Sequence, residues 1–153
     1  MSTGTDPALD VLARTWREEI PITDAMALAP VARTPGSLEV RADLAPNVNV
    51  HGTAFAGSLY AVAALSGWGL VHLELEAAGL DGSIVIAEGR IRYVSPVADA
   101  LHARCETSAE EIERVCSELR TEGRARWPLT AVIRGAAGDA VRFDGVYAIK
   151  LRS

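Results

Sequence analysis

Ala54-Phe55-Ala56-Gly57-Ser58-Leu59-Tyr60-Ala61-Val62-Ala63-Ala64-Leu65-Ser66-Gly67-Trp68-Gly69-Leu70-Val71-His72-Leu73 is the stretch whose reading decides the fold. It has no polar face. A helix that is apolar all round either crosses a membrane or lies at the centre of a core. This one is built mostly from small residues and is interrupted by Gly57, Ser58, Ser66, Gly67, Gly69 and His72. Alanine is only weakly hydrophobic, so such a segment inserts poorly into a bilayer. The reading is therefore a core helix from about Ala54 to Ala78, fraying near Gly79, and a helix of this kind must be wrapped by something.

The flanking sequence supplies the wrapping. Met26 to Arg33 and Leu38 to Leu44 read as two strands, the second alternating Leu38, Val40, Ala42 and Leu44 with Glu39, Arg41 and Asp43. Pro35-Gly36 between them makes a turn, so the pair should form a hairpin. After the helix, Asp81-Gly82 opens a turn. Ser83 to Val94 then reads as a strand broken at Gly89 and closed by Pro96, and Leu101 to Glu106 as another. Ser108 followed by Glu111 has capping-box spacing and starts a short acidic helix to Arg120. Its narrow apolar stripe (Ile112, Val115, Cys116, Leu119) places it on the surface. Strands at about Ala125–Arg134 and Val141–Leu151 finish the chain.

At the other end, Asp6-Pro7 starts a helix of about residues 7–20, with Leu9, Leu12, Ala13, Trp16 and Ile20 at helical spacing. One-sided alternation marks an antiparallel sheet. A curved antiparallel sheet folded round a long central helix satisfies both halves of the pattern. The expectation is an α+β hotdog fold, one domain over residues 1–153.

Composition narrows the function classes. A chain of 153 residues, 49% apolar, buries about 70% of its unfolded surface without disulfide or metal. A net charge of −5 with scattered arginines argues against nucleic acid as partner. The first twenty residues carry Asp6, Asp10, Glu18 and Glu19 and no apolar h-region, so a cytoplasmic protein with no membrane partner is expected. Cys105 and Cys116 lack CxxC spacing and read as buried apolar residues. Histidine spacing points to no metal site.

The chemistry concentrates before the central helix. Asn47 and Asn49 are the only asparagines, and the chain has no glutamine. Asn47, beside Pro46, reads as a turn residue. Asn49 is followed by Gly52-Thr53 and then Gly57-Ser58. The first N–H groups of a helix lack internal partners and lie at the positive end of the macrodipole. Glycine lets a ligand approach that backbone, and the Asn49 carboxamide would add a donor. Each well-placed donor contributes about 3–4 kcal/mol to a developing oxyanion.

The run Asn49-Val50-His51-Gly52-Thr53-Ala54-Phe55-Ala56-Gly57-Ser58-Leu59-Tyr60, with Ser66-Gly67-Trp68-Gly69, Ile84 to Gly89 and the Tyr93-x-x-Pro96 pair, resembles the hotdog-fold thioesterase family related to the YiiD carboxy-terminal domain. The resemblance covers residues 20 to 107 best. That family includes malonyl-acyl-carrier-protein decarboxylases, which prime fatty-acid synthesis. The resemblance implies a homodimer, or a higher oligomer built on it, with sheets joined edge to edge and both sites at the interface. It also implies a substrate held as a phosphopantetheine thioester of acyl carrier protein or CoA, with no separate cofactor.

The wider hotdog thioesterases place His-Gly-Gly before the helix and an acid one to two turns in. Here Phe55-Ala56-Gly57 and then Ala63-Ala64 stand in those places, and no Asp or Glu occurs between Asp43 and Glu74. Hydrolysis needs a base or carboxylate nucleophile. Decarboxylation of a malonyl thioester needs a polarised carbonyl and a carboxylate held without negative neighbours. Decarboxylation is therefore the favoured reaction. A thioesterase using Glu74, Glu76 or Glu88 is the alternative, and a non-catalytic acyl-thioester binder the third reading.

The expected catalytic residues are Asn49, Thr53 and Ser58. Gly52, Ala54, Phe55, Ala56, Gly57, Tyr60 and Tyr93 are the expected substrate-binding residues. His51 is a second candidate base or an ordinary surface histidine. His72 reads as a core or interface residue and His102 as solvated. Tyr60, Trp68 and Tyr93 line an acyl tunnel or anchor the core. Arg90, Arg92, Arg124 and Arg126 meet a phosphate or an acidic carrier protein, or simply face solvent.

Overall fold

The structure, a computed structural model, describes residues 6–153. Helix α1, Pro7–Glu19, starts where Asp6 accepts a hydrogen bond from the Ala8 N–H, and it buries Leu12 and Trp16. A single turn not foreseen in the sequence, α2 (Ile22–Ala25), leads through Ala27, whose φ is +52°, into the first hairpin. That hairpin is β1 (Leu28–Thr34) against β2 (Ser37–Ala42), antiparallel and turned at Pro35-Gly36. A 3-10 turn at Ala45–Asn47 opens the loop before the central helix α3, Ala56–Ala77.

Strands β3 (Gly82–Tyr93) and β4 (Leu101–Glu106) follow. Helix α4 (Ala109–Glu122) is capped by Ser108, which accepts from the Glu111 N–H, and it ends at Gly123 with φ +74°. The hairpin of β5 (Arg124–Gly135) and β6 (Gly138–Leu151) completes the chain. All six strands form one sheet in the order β1-β2-β4-β5-β6-β3, with every neighbouring pair antiparallel. This is the hotdog fold: one curved sheet around one long helix.

Alternation decides which side chains meet α3. Along β5, Ala125, Trp127, Leu129, Ala131 and Ile133 point inward and are buried. Strand β3 is not broken at Gly89. It carries instead a bulge between Ile86 and Glu88, which adds one residue and exchanges the inward and outward sets. Gly82 and Ile84 face the core before it, and Gly89, Ile91 and Tyr93 after it.

The small residues of α3 answer to close packing. Gly67 lies against the Tyr147 ring, whose hydroxyl donates to Ala64 O at 2.6 Å. Gly69 lies under Leu38, Trp16 and Leu12, so the sheet and α1 both reach the helix backbone. α3 is the one described helix long and apolar enough to cross a membrane, and it lies inside the sheet instead. One stripe stays half-buried: Ser58, Ala61, Leu65, Trp68 and His72, at alternating three- and four-residue spacing.

Candidate active site

The loop before α3 is pinned at both ends. Asn47 is buried; its amide donates to Met26 O (2.8 Å) and Asp43 O (2.6 Å), and its carbonyl accepts from the Phe55 N–H (2.7 Å). Its side-chain oxygen has no partner among the described residues. The Ala54 N–H donates to Val97 O at 2.8 Å, and Ala54 bridges Val48. Asn47 thus ties the loop to the α2–β1 junction, and Val97 ties it to the β3–β4 connection. Nothing local in the sequence points to Val97.

Asn49 closes the loop on itself. Its carboxamide donates to Thr53 Oγ1 (3.0 Å) and Ala54 O (3.3 Å) and accepts from the N–H groups of His51 (2.8 Å) and Thr53 (3.2 Å). Both amide protons, expected to face a ligand, are engaged within the loop. The reason is the turn: Gly52 at φ +78° folds Thr53 back over Asn49, whose own N–H donates to Thr53 O at 2.7 Å. In this arrangement Asn49 orients Thr53, whose hydroxyl accepts from the amide and keeps its proton for another acceptor.

The start of α3 is open. Phe55 at the N-cap makes no side-chain cap, and the first bond into the helix runs from the Leu59 N–H to Phe55 O at 3.0 Å. The N–H groups of Ala56, Gly57 and Ser58 have no acceptor among the described residues. These are the orphan donors of a helix start. The Phe55 ring, 54% exposed, folds over Gly57, where any β-carbon would strike it.

Tyr93 crosses from the end of β3 and donates to Ala56 O at 2.9 Å. Burial, and then the neighbouring Tyr60, raise its phenol pKa. Tyr60 packs edge-on against Phe143 (5.1 Å between ring centres) and over the bare backbone of Gly89. Val50, Phe55, Tyr93 and Val94 are each exposed.

The structure thus brings together Thr53, Phe55, Ala56, Gly57, Ser58, Tyr60 and Tyr93, with Asn49, Gly52 and Ala54 in the supporting loop. His51 is exposed and contributes its backbone N–H. Ala63 and Ala64, about two turns into α3, are buried. Glu74 is buried at the far end of α3 and accepts from the Gly36 N–H at 2.7 Å, which holds the β1–β2 turn. Glu88 is exposed on β3.

His72 stacks on Trp68 at 5.2 Å, and burial above all lowers its pKa. Trp68 itself donates to Ile84 O at 3.2 Å, tying α3 to β3. Both cysteines are buried free thiols, with the Cys105 pKa pushed up to about 12 by burial.

Solved structures of the same fold include proteins described as thioesterases. A protein from Shewanella oneidensis, described as a "putative thioesterase", is 35% identical over 97% of this chain and 100% of its own, with a TM-score of 0.82. A protein of unknown function from Chlorobaculum tepidum is 29% identical over 96% and 100%, with a TM-score of 0.91. A "probable thioesterase" from Pseudomonas aeruginosa, 21% identical over 94% and 95% with a TM-score of 0.80, shares the fold. Residues 9–151 match the family described as "Putative thioesterase (yiiD_Cterm)", and the chain belongs to that family.

Proposed function

We propose that the protein acts, as a homodimer, on an acyl group in thioester linkage to a pantetheine carrier, and that its reaction is decarboxylation of malonyl-acyl-carrier protein to the acetyl form. One observation carries this reading. The start of α3 offers three amides without a partner among the described residues, and no carboxylate follows on the helix until Glu74. Glu74 is some eighteen residues away, ~27 Å along the axis, and already serves Gly36.

Donors without a base suit an enolate. The thioester oxygen lies at the Ala56 and Gly57 amides, with Thr53 or Ser58 placed for the carboxylate or the carbonyl. The electron pair of the breaking C–C bond moves into the enolate as carbon dioxide leaves, and water returns a proton to carbon. Preorganised amides stabilise the charge as it forms, at about 3–4 kcal/mol each. The only prosthetic group required is the substrate's own phosphopantetheine.

A second reading, hydrolysis of an acyl thioester, is favoured by the family match itself. It requires an acid from outside the usual helix position. Malonyl and simple acyl thioesters, assayed in parallel for carbon dioxide and free thiol, separate the two. Carbon dioxide with acetyl-carrier protein is expected; free thiol without carbon dioxide replaces the lyase by the hydrolase. Ligand binding with neither product leaves an acyl-thioester binder.

The dimer is supported by what the single chain leaves uncovered. Strand β3 is a sheet edge with Val85 and Ile86 exposed, and an unpaired edge of this kind is a template for pairing. Beside it runs the half-buried α3 stripe of Ala61, Leu65 and Trp68. A cytoplasmic location fits the two buried free thiols.

A further inference from the structure

We propose that a basic groove on the outer face of the sheet docks the carrier protein, and that each groove serves the active site of the other subunit. This rests on the carrier-linked substrate and edge-paired dimer proposed above. The groove, of about 710 Å³, is lined by Ser83 and Val85 of β3, Arg124 and Arg126 of β5, Lys150 of β6 and Arg114 of α4. Arg124 and Lys150 are direct cross-strand partners. Like charges placed opposite each other weaken a sheet unless an anion lies between them.

Arg124, Arg126 and Lys150 form no ion pair among the described residues. Arg114 is already paired, with Glu111 at 2.8 Å and with Glu118, the one acid lining the groove, at 3.1 Å, so the unanswered cations are Arg124, Arg126 and Lys150. A second groove, across β2, β4, β5 and β6, sets Arg104 and Arg134 against three acids, Glu39, Glu106 and Asp139.

The partner follows from charge and shape. The chain as a whole carries −5, so an acidic protein is repelled elsewhere and attracted where cations stand unanswered. Val85, 56% exposed, and Ala148 give the groove an apolar floor for a protein surface. No aromatic side chain lines it to stack on a nucleotide base.

The groove lies at the Ser83–Val85 end of β3 and the active site at its Tyr93 end. Those eight residues span ~26 Å. Antiparallel pairing of two β3 edges sets the Ser83–Val85 end of each subunit beside the Tyr93 end of the other. The carrier then docks on one subunit and delivers its arm to the neighbouring site.

The test compares the wild-type protein with the charge reversal Arg124→Glu/Lys150→Glu on malonyl-carrier protein, malonyl-CoA and malonyl-pantetheine. The expected result is a KM for the carrier-linked substrate raised tenfold or more, with kcat within twofold and less than twofold change for the two small substrates. Binding of holo-carrier protein, read by fluorescence anisotropy without turnover, should weaken to the same extent and fall with added salt. If the wild type binds the carrier through this groove yet releases no carbon dioxide, docking stands and the decarboxylase reading falls.

An unchanged carrier KM overturns the docking proposal, as does a wild-type protein that does not bind the carrier. An equal loss with malonyl-CoA makes the groove a nucleotide site and overturns it too. A wild-type monomer in sedimentation leaves the groove too far from its own site, with the same consequence.

Discussion

At the scale of single residues, two polar side chains are engaged in hydrogen bonds within the fold. Asn49 makes four hydrogen bonds within its own loop and sets the Thr53 hydroxyl. Asn49→Ala should lower kcat/KM by on the order of a hundredfold, because a misplaced site loses its preorganisation. Asn49→Asp keeps the acceptor for His51 and Thr53 and should retain part of the activity; steady-state kinetics on both variants checks this, and equal activity of Asn49→Ala and wild type removes the loop from the mechanism.

Glu74, by contrast, belongs to the architecture. Glu74→Ala leaves the Gly36 N–H without its acceptor and should cost about 1–3 kcal/mol in urea unfolding, while kcat stays within twofold. A large fall in kcat with intact stability would restore Glu74 as the acid of a hydrolase.

At the scale of elements, α3 has two kinds of face. The sheet side is fitted to atomic detail at Gly67, where the Tyr147 ring and its bond to Ala64 O leave no room for a methyl group. Gly67→Ala should destabilise the fold by about 1–3 kcal/mol, as overpacking does, measured by thermal or urea unfolding. The opposite stripe, Ala61, Leu65 and Trp68, is only half-buried. If the proposed dimer forms through this stripe, Leu65→Arg should yield a monomer in sedimentation velocity where the wild type is a dimer, while leaving far-ultraviolet circular dichroism unchanged. A dimer that persists places the interface elsewhere.

Strand β3 is the other decisive element. Its bulge lets Gly89 and Tyr93 face α3 although Ile84 does so before it. Alternation read straight through from Ile84 would turn Tyr93 outward, because a single added residue exchanges the faces.

At the scale of the whole molecule, His72 couples stability to pH. It is half-buried between Trp68 and the charges of Glu76, Glu19, Asp81 and Arg152, and burial outweighs the acids to lower its pKa. The unfolded chain therefore takes up this proton at higher pH than the folded one. The contribution is fully present above the ordinary histidine value and is lost as pH falls through the lower folded value. The urea midpoint should drop between pH 7 and pH 5, and His72→Phe should flatten that slope. An identical slope in the variant assigns the effect to other groups.

Much of this was legible in the chain alone. The apolar helix, the hairpin before it, the Ser108 cap and the hotdog arrangement follow from periodicity and capping, which act over a few residues and leave their mark in order along the sequence. The partnerless amides at the start of α3 were legible for the same reason, since every helix start has them. Tertiary structure decided what distant residues do to one another. It set Glu74 against Gly36, brought Tyr93 to Ala56, pinned Ala54 to Val97, and placed Arg124 opposite Lys150. Those pairings depend on strand register and on one bulge, and register is fixed by the packing of the whole sheet around its helix, which no local window of sequence contains.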